Sequence, residues 1–191
     1  MSPQLILASA SPRRSELLHQ IGIRHVIKAV DIDESPWTHE SPLAYVERVA
    51  SEKSAACRSL VQDDMPVLAA DTCVVLEGEI MGKPEDKQHA IDMLSRLSGR
   101  IHQVYSAVSL RGTHHWQAVS VSEVRFRVVS LEEMEAYWST GEPCDKAGAY
   151  AIQGLASIFI EAITGSFSGV MGLPLFETAQ LLAKQGIPVI E

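Results

Sequence analysis

The chain has 191 residues, 46% of them hydrophobic, and 16 Lys and Arg against 24 Asp and Glu give a formal net charge of −8. This length and composition suit a single globular domain over residues 1–191 and exclude a disordered or low-complexity chain. The acidic charge disfavours binding to a nucleic acid backbone, so any basic cluster must be local and directed at a small anion.

In chain order, the pattern begins with two helices set between apolar strands. Residues 5–8 predict a short buried strand, and the helix after it starts at a Ser-Pro pair with Ser11 at the N-cap and has Gly22 just past its end. A second helix is predicted over 41–57. An almost unbroken apolar run then predicts a central strand over 67–76.

The rest of the chain is predicted to contain three more strands and three more helices. A turn at 77–78 follows the central strand, and Ser130 with Glu133 predicts a capping box. The remaining predicted elements are a helix over 86–97, strands over 101–110 and 118–128, a helix over 130–141, a strand over 157–163 and a helix over 174–186. Strands and helices mix without regular alternation, so we expect an α/β fold with a mixed, partly antiparallel central sheet flanked by helices.

The three cysteines and the apolar runs restrict the compartment. Cys57, Cys73 and Cys144 form no CxxC pair, which indicates neither a disulfide framework nor a zinc site and fits a reducing compartment. No apolar stretch reaches the roughly 20 residues of a membrane span. The apolar run over 5–8 is too short for a signal peptide and lacks a basic segment before it. We therefore expect a cytoplasmic protein with no membrane partner.

Two arginines lie at the unfavourable end of the first helix. Arg13 and Arg14 occupy its first turn, where the helix dipole disfavours a cation by roughly 0.3–1 kcal/mol. The hydroxyls of Ser9 and Ser11 and the free N–H groups of the helix lie at the same end. A polyphosphate bound there would turn the penalty into attraction. The alternative is a pair of solvated arginines on a surface helix.

Two further charged residues interrupt apolar patterns. Lys53 lies on the apolar stripe of the second helix, either as a snorkelling side chain or as part of a site. Asp71 interrupts the central strand, where a carboxylate is costly unless it is paired or binds a metal. Asp71 is therefore the best candidate for a catalytic carboxylate or metal ligand. Lys83, on a Gly-Lys-Pro loop, and Glu34, in an acidic loop, carry no such signal by themselves.

These features together resemble the Maf family of nucleotide pyrophosphatases along nearly the whole chain. The shared motifs are S-x-S-P-R-R at 9–14, D-E at 33–34, E-K at 52–53, A-D-T at 70–72, G-K-P at 82–84, L-S-G-x-x-H at 97–102, D-K-A-G with Q-G at 145–154, and G-L-P at 172–174. The resemblance implies a fold like that of inosine triphosphate pyrophosphatases, with a deep active-site cleft, and it implies a homodimer. It implies hydrolysis of a nucleoside triphosphate to the monophosphate and pyrophosphate.

Within the family, the stretch over 145–154 resembles the branch that acts on dTTP and UTP, and the resemblance extends this activity to modified pyrimidine triphosphates. Asp71, Lys53 and Lys83 are then the expected catalytic residues. Glu34 and Asp71 are the expected ligands of the Mg²⁺ or Mn²⁺ that accompanies a triphosphate. The expected substrate-binding residues are Ser9, Ser11, Arg13, Arg14, Thr72 and Gln153.

Three of these residues bear on substrate choice, and one question about mechanism stays open. The resemblance marks Arg13 and Thr72 as specificity positions, and the Gln153 amide can offer a donor and an acceptor to a uracil or thymine edge. Whether Asp71 is the general base for the attacking water or a ligand that orients a metal-bound water is open.

Two other functions compete with this interpretation. The first is a non-catalytic nucleotide-binding regulator of cell division, and the second is a purine-directed pyrophosphatase. A regulator needs the anion site but has no use for an acid beside it, so Asp71 together with Glu34 favours the enzyme.

Overall fold

The structure is a computed structural model that describes residues 2–62 and 64–189. Within these residues, seven strands form one sheet: β1 (Leu5–Leu7), β2 (His25–Ile27), β3 (Val67–Leu76), β4 (Glu79–Met81), β5 (Ile101–Arg111), β6 (His115–Phe126) and β7 (Ile160–Thr164). The α-helices are α1 (Pro12–Gln20), α2 (Pro42–Ser59), α3 (Lys87–Leu97), α4 (Leu131–Ser139), α5 (Phe167–Met171) and α6 (Leu175–Lys184). Short 3₁₀ helices lie at Glu142–Asp145, Ala147–Ala149 and Leu155–Phe159.

The sheet is mixed, as the sequence predicts. Its strand order is β2-β1-β3-β5-β6-β7, and β4 pairs with β3 outside this path. β1 runs parallel to β2 and to β3, whereas β3, β4, β5, β6 and β7 pair in antiparallel fashion. The expected α/β fold with a partly antiparallel central sheet is therefore confirmed.

β3 is the buried centre of the sheet, and its two faces contact different helices. The odd-numbered side chains pack in clusters with α2. One cluster contains Cys57, Val67 and Ala69, and the other contains Val46, Ala50, Cys73 and Val75. The even-numbered side chains join two other clusters, one with α1 and α6 and one with α3 and α4. An odd-numbered position such as 71 thus faces α2, because strand side chains alternate between the faces.

Most predicted elements are confirmed, and the differences lie where pairing decides the boundaries. β3 has the predicted bounds, the turn after it forms a hairpin, and Ser130 and Glu133 form the predicted capping box. β6 begins three residues earlier than the predicted strand over 118–128, because its first residue pairs with Arg111 of β5. It ends two residues earlier than predicted, because its pairing with β7 shifts register at Phe126. Val128 is accordingly 76% exposed.

Other differences concern short elements. The predicted strand over 157–163 starts only at Ile160, because the chain before it forms a 3₁₀ helix. The sequence pattern did not predict β2 or α5, which have three and five residues. α2 continues two residues past the predicted end at Cys57.

Candidate active site

The site forms at a gap in the hydrogen-bonded edge of β3. β1 pairs with β3 only as far as Leu68, and β4 pairs with the same strand only from Val74 onward. Asp71 and Thr72 lie in the stretch between these two pairings. A charged side chain can therefore lie within a central strand and still face a cleft.

The N-terminus of α1 forms one wall of the cleft. Arg14 donates from Nε to the carbonyl oxygen of Gly172 at 2.8 Å and from Nη1 to the Ser9 hydroxyl at 3.1 Å. That hydroxyl also accepts from the backbone N–H of Ser11 at 3.2 Å. Ser11 is the N-cap, as predicted, but its side chain forms no capping hydrogen bond. Its hydroxyl is thus available to a ligand at the helix N-terminus.

The conformation of Gly172 and the burial of Arg14 set the electrostatics of this wall. Gly172 has φ +121°, which side-chain-bearing residues rarely adopt, and its carbonyl orients the guanidinium. Burial lowers the pKa of Arg14, and the negative charge of Asp71 opposes that effect. The guanidinium remains a cation because its ordinary pKa is far above neutrality.

Lys53 lies between two carboxylates. It is only 8% exposed, which confirms its predicted position on the apolar stripe of α2. Its Nζ contacts Asp71 Oδ1 at 2.9 Å and Glu34 Oε2 at 2.8 Å. Asp71 is 5% exposed, and the Glu34 side chain is 47% exposed. The structure thus brings together an acid from β3, a cation from α2 and an acid from the loop after β2.

Burial changes the acidity of Asp71. Removal from water raises its pKa, and the nearby charges of Lys53 and Arg14 act in the opposite direction without reversing the effect. A carboxylate with a raised pKa accepts a proton more readily, which suits a general base.

Thr72 faces away from α2 and joins a chain of hydroxyl groups. Ser106 donates to the carbonyl oxygen of Gly169 at 2.6 Å. The hydroxyl of Thr72 therefore donates to Ser106 Oγ, at 2.8 Å. These bonds tie β3 and β5 to α5 beside the cleft.

The cleft encloses a cavity of about 700 Å³, which is the size of a small-molecule site. Nine of the ten predicted residues line it: Ser9, Ser11, Arg13, Arg14, Glu34, Lys53, Asp71, Thr72 and Lys83. The tenth, Gln153, is exposed and lies outside the lining, although Ala151 and Ile152 belong to it. The contact between Gln153 and a base stays a prediction.

The acidic residues fit a divalent cation that is shared with a substrate. Asp71 and Glu34 point at the same ammonium group, so their oxygens face one spot in the cavity. Among residues 2–62 and 64–189, no group of three or more His, Cys, Asp or Glu could hold a metal ion. Mg²⁺ commonly takes one or two carboxylates and completes its shell with phosphate oxygens and water. The donor set fits such a cation when it accompanies a phosphate ligand.

Comparison with known proteins assigns the family. A model of the Maf family, described as Maf-like protein, matches residues 4–185. The chain belongs to the Maf family. It is 58% identical to the dTTP/UTP pyrophosphatase of Methylococcus capsulatus, over 96% of this chain and 92% of that protein. It is 52% identical to the dTTP/UTP pyrophosphatase of Nitrosomonas europaea, over 97% of this chain and 96% of that protein.

Among solved structures, this Maf chain is similar to the Ham1 protein of Staphylococcus aureus. The TM-score is 0.46 at 17% identity, covering 64% of this chain and 71% of that one. None of the helices in the described residues has the length and hydropathy needed to cross a bilayer.

Several residues of the site carry no signal in the sequence. Part of the cavity lining is apolar and belongs to one core cluster: Val74, Met81, Val104, Ile152, Val170 and Met171. Tyr45 and Tyr150 also line it, as do Asp145 and Lys146, which form an ion pair with each other. In the sequence the apolar residues are indistinguishable from core residues. The D-K-A-G motif was the only indication of Asp145 and Lys146.

Proposed function

We propose that this Maf protein hydrolyses nucleoside triphosphates to the monophosphate and pyrophosphate, with dTTP and UTP as substrates. The observation that carries the proposal is the Lys53 ammonium held between Asp71 and Glu34 in a cleft lined by Arg13 and Arg14. The names of relatives at 50–58% identity over nearly the full chain support the same reaction and the same bases.

In this proposal the cations of the cleft bind the triphosphate. Arg14, held by Gly172 and Ser9, presents its guanidinium beside the free N–H groups of the α1 N-terminus, a combination that suits phosphate oxygens. Arg13 and Lys83 line the same cavity. The nucleoside would lie against the apolar part of the lining around Val104, because a base has apolar faces that need burial.

The reaction is an in-line attack of water on the α-phosphorus. A bond forms between the water oxygen and this phosphorus, the bond to the bridging oxygen of the β-phosphate breaks, and pyrophosphate leaves. Asp71 accepts the water proton, and Lys53 fixes its carboxylate through Oδ1. Arg14 and Lys83 stabilise the charge on the departing pyrophosphate. A divalent cation held by Glu34 and Asp71 would neutralise phosphate oxygens and make the phosphorus more electrophilic.

Product analysis of purified protein tests the proposal. The protein is incubated with Mg²⁺ or Mn²⁺ and each of the common ribo- and deoxyribonucleoside triphosphates, and the products are separated by anion-exchange chromatography. Monophosphate and pyrophosphate, formed fastest from dTTP and UTP, are expected. Orthophosphate would contradict the assigned site of attack, and preference for purine triphosphates would contradict the branch. Nucleotide binding without turnover would favour the regulator of cell division.

Three further expectations belong to the proposal. Modified pyrimidine triphosphates are expected substrates, and the same product analysis tests them. The homodimer and the cytoplasmic location stay predictions, the first of which light scattering of the purified protein checks.

A further inference from the structure

The loop that carries Glu34 is the least regular part of the site. It connects β2 to α2 over residues 28–41, and most of its side chains are exposed. Within the part of the chain that the structure describes, Glu34 is joined to the site by an ion pair with Lys53 at 2.8 Å. A carboxylate that must be in place before a metal-bound ligand arrives needs its loop to be held, because a displacement of about 1 Å is enough to impair a metal site.

Arg48, on α2, contacts this loop at three places. Its Nε and Nη2 donate to Oε1 and Oε2 of Glu40 at 2.6 and 2.8 Å, in a bidentate pair. Nη2 also donates to the carbonyl oxygen of Ser35, the residue after Glu34, at 3.1 Å. The guanidinium lies over the Trp37 ring, 4.2 Å from its centre. One side chain thus holds the backbone next to Glu34, an aromatic ring and the end of the loop.

The same guanidinium is tied to the part of α2 that carries Lys53. Nη1 donates to Glu52 Oε2 at 3.1 Å, one turn along the helix. The side chains of Arg48 and Glu40 are only 10% and 5% exposed, so water screens their pair far less than it screens a surface ion pair. Arg48 therefore links the loop of Glu34 to the helix of Lys53.

We propose that Arg48 is a positioning residue that holds Glu34 in place to bind the divalent cation of a metal–triphosphate complex. The proposal rests on the function proposed above and adds a residue that touches neither substrate nor metal. It explains why a bidentate arginine pair lies under an exposed loop. A purely structural role for Arg48 is the competing explanation, and it predicts no dependence on metal.

The chain offers a matched control in Arg127. This residue also makes a bidentate pair with a glutamate, Glu133, at 2.7 and 3.1 Å, and donates to the carbonyl oxygen of Ile158 at 2.9 Å. Its guanidinium lies over Phe159, 5.2 Å from the ring centre. Arg127 does not line the cavity. Arg127→Met therefore removes equivalent contacts away from the site.

Binding of α,β-imido-UTP, a non-hydrolysable analogue of one proposed substrate, is the main test, measured by calorimetry with Mg²⁺ and again in EDTA. Arg48→Met should weaken binding about tenfold or more in Mg²⁺, the usual effect of losing a residue that orients a metal ligand, and leave binding in EDTA unchanged. Arg127→Met should change neither. Arg48→Lys keeps the charge but cannot make the bidentate pair, so an intermediate loss is expected and this variant also serves if the methionine variant folds poorly.

A double-mutant cycle with Glu34→Gln identifies the route of the effect. If Arg48 acts through Glu34, adding Arg48→Met to Glu34→Gln should cause no further loss of Mg²⁺-dependent affinity. An equal loss in EDTA, or a full loss in the Glu34→Gln background, would overturn the proposal while leaving the proposed function intact. If the wild-type protein bound no analogue in either condition, the proposed function itself would fail, and this inference with it.

Backbone amide exchange provides a readout that needs no ligand. The Trp37 N–H donates to Glu40 Oε2 at 3.0 Å, and Arg48 holds that carboxylate. Arg48→Met should therefore speed exchange at Trp37 in the free protein, whereas Arg127→Met should not. An unchanged rate would show that the loop is held by other contacts and would overturn the proposal.

Discussion

Asp71→Asn tests the site because it removes a charge without changing the shape of the side chain. Asp71 is 5% exposed, and its Oδ1 accepts a hydrogen bond from the Lys53 ammonium at 2.9 Å. Removing one partner of a buried ion pair costs about 3–5 kcal/mol when the remaining charge is left alone. Here Lys53 keeps Glu34 at 2.8 Å, and asparagine leaves no cavity. We therefore expect the free energy of unfolding to fall by only about 1–2 kcal/mol.

The expected effect on turnover is much larger. A positioned general base contributes about 10²–10⁴-fold to rate. The variant should lose about 10³-fold in kcat, or about 4 kcal/mol in the activation barrier. Burial raises the pKa of Asp71, and only the deprotonated carboxylate can accept a proton. The wild-type kcat/KM, which reports the free protein before the metal–triphosphate complex binds, should therefore fall on the acid side at a pH above the ordinary range of an aspartate, and the variant should lack this fall.

Pyrophosphate release from dTTP across a pH series measures both effects, and urea unfolding measures the stability. Asp92→Asn is the control, since Asp92 lies on α3, accepts from Gln88 at 2.9 Å and does not line the cavity. It removes the same charge and should leave kcat and its pH profile unchanged. An Asp71→Asn variant that kept more than a tenth of the wild-type kcat, with the same acid limb, would refute Asp71 as the base.

Three other changes test two residues of the site and one buried histidine. Lys53→Met should reduce kcat/KM by about 10²-fold or more. Because the charge of Lys53 lowers the pKa of Asp71, this variant should also move the acid limb of the pH profile of kcat/KM to higher pH. An unmoved limb in steady-state assays would contradict this. Thr72→Val removes the hydroxyl bonded to Ser106 at 2.8 Å and should lower the free energy of unfolding by about 1–2 kcal/mol in urea, whereas no change would mean that the hydroxyl chain adds no stability. Burial lowers the pKa of His102 from 6.5 to about 4, so the unfolded chain binds the proton first as pH falls. As the pH falls from 6.5 to about 4, the free energy of unfolding measured in urea should drop by about 3 kcal/mol, and His102→Gln should remove that drop. A drop of equal size in the variant would assign it to other titrating groups.

The sequence predicts those elements whose boundaries are set locally. β3 is bounded by Pro66 and by the turn at Glu77, and its burial on both faces makes the apolar run continuous. The capping box at Ser130 and Glu133 satisfies backbone donors within one turn of helix. Neither depends on a distant partner, so both can be recognised from neighbouring residues alone.

Elements whose boundaries depend on pairing with distant strands were predicted less accurately. The ends of β6 depend on its pairing with Arg111 of β5 and on the register shift near Phe126, and neither leaves a mark in the local pattern. β2 has three partly or fully exposed residues, and it is a strand only because β1 lies beside it. Three residues are too few to show the alternation of apolar and polar side chains that indicates a strand.

The site residues also differ in whether the local sequence indicates them. The position of Lys53 on an apolar stripe indicates a buried cation, but no spacing indicates that Glu34 and Asp71 share it, because the three belong to separate elements. The four-residue spacing between Arg48 and Glu52 was the only local indication of the contacts that hold the loop. Gln153 was named through the resemblance to the family, and its exposed position follows from the turn that ends the lining at Ile152.

The distribution of ion pairs explains how an acidic protein keeps a site for a highly charged anion. Arg48 and Arg127 outside the cavity are each neutralised by glutamates. Among the residues that the structure describes, Arg13, Arg14 and Lys83 in the cavity form no ion pair, and Arg14 is instead held by neutral oxygens of Gly172 and Ser9. Neutral partners orient a cation without cancelling its charge. The positive potential therefore remains inside the cleft, where a triphosphate fits, while the net charge of −8 keeps longer polyanions away.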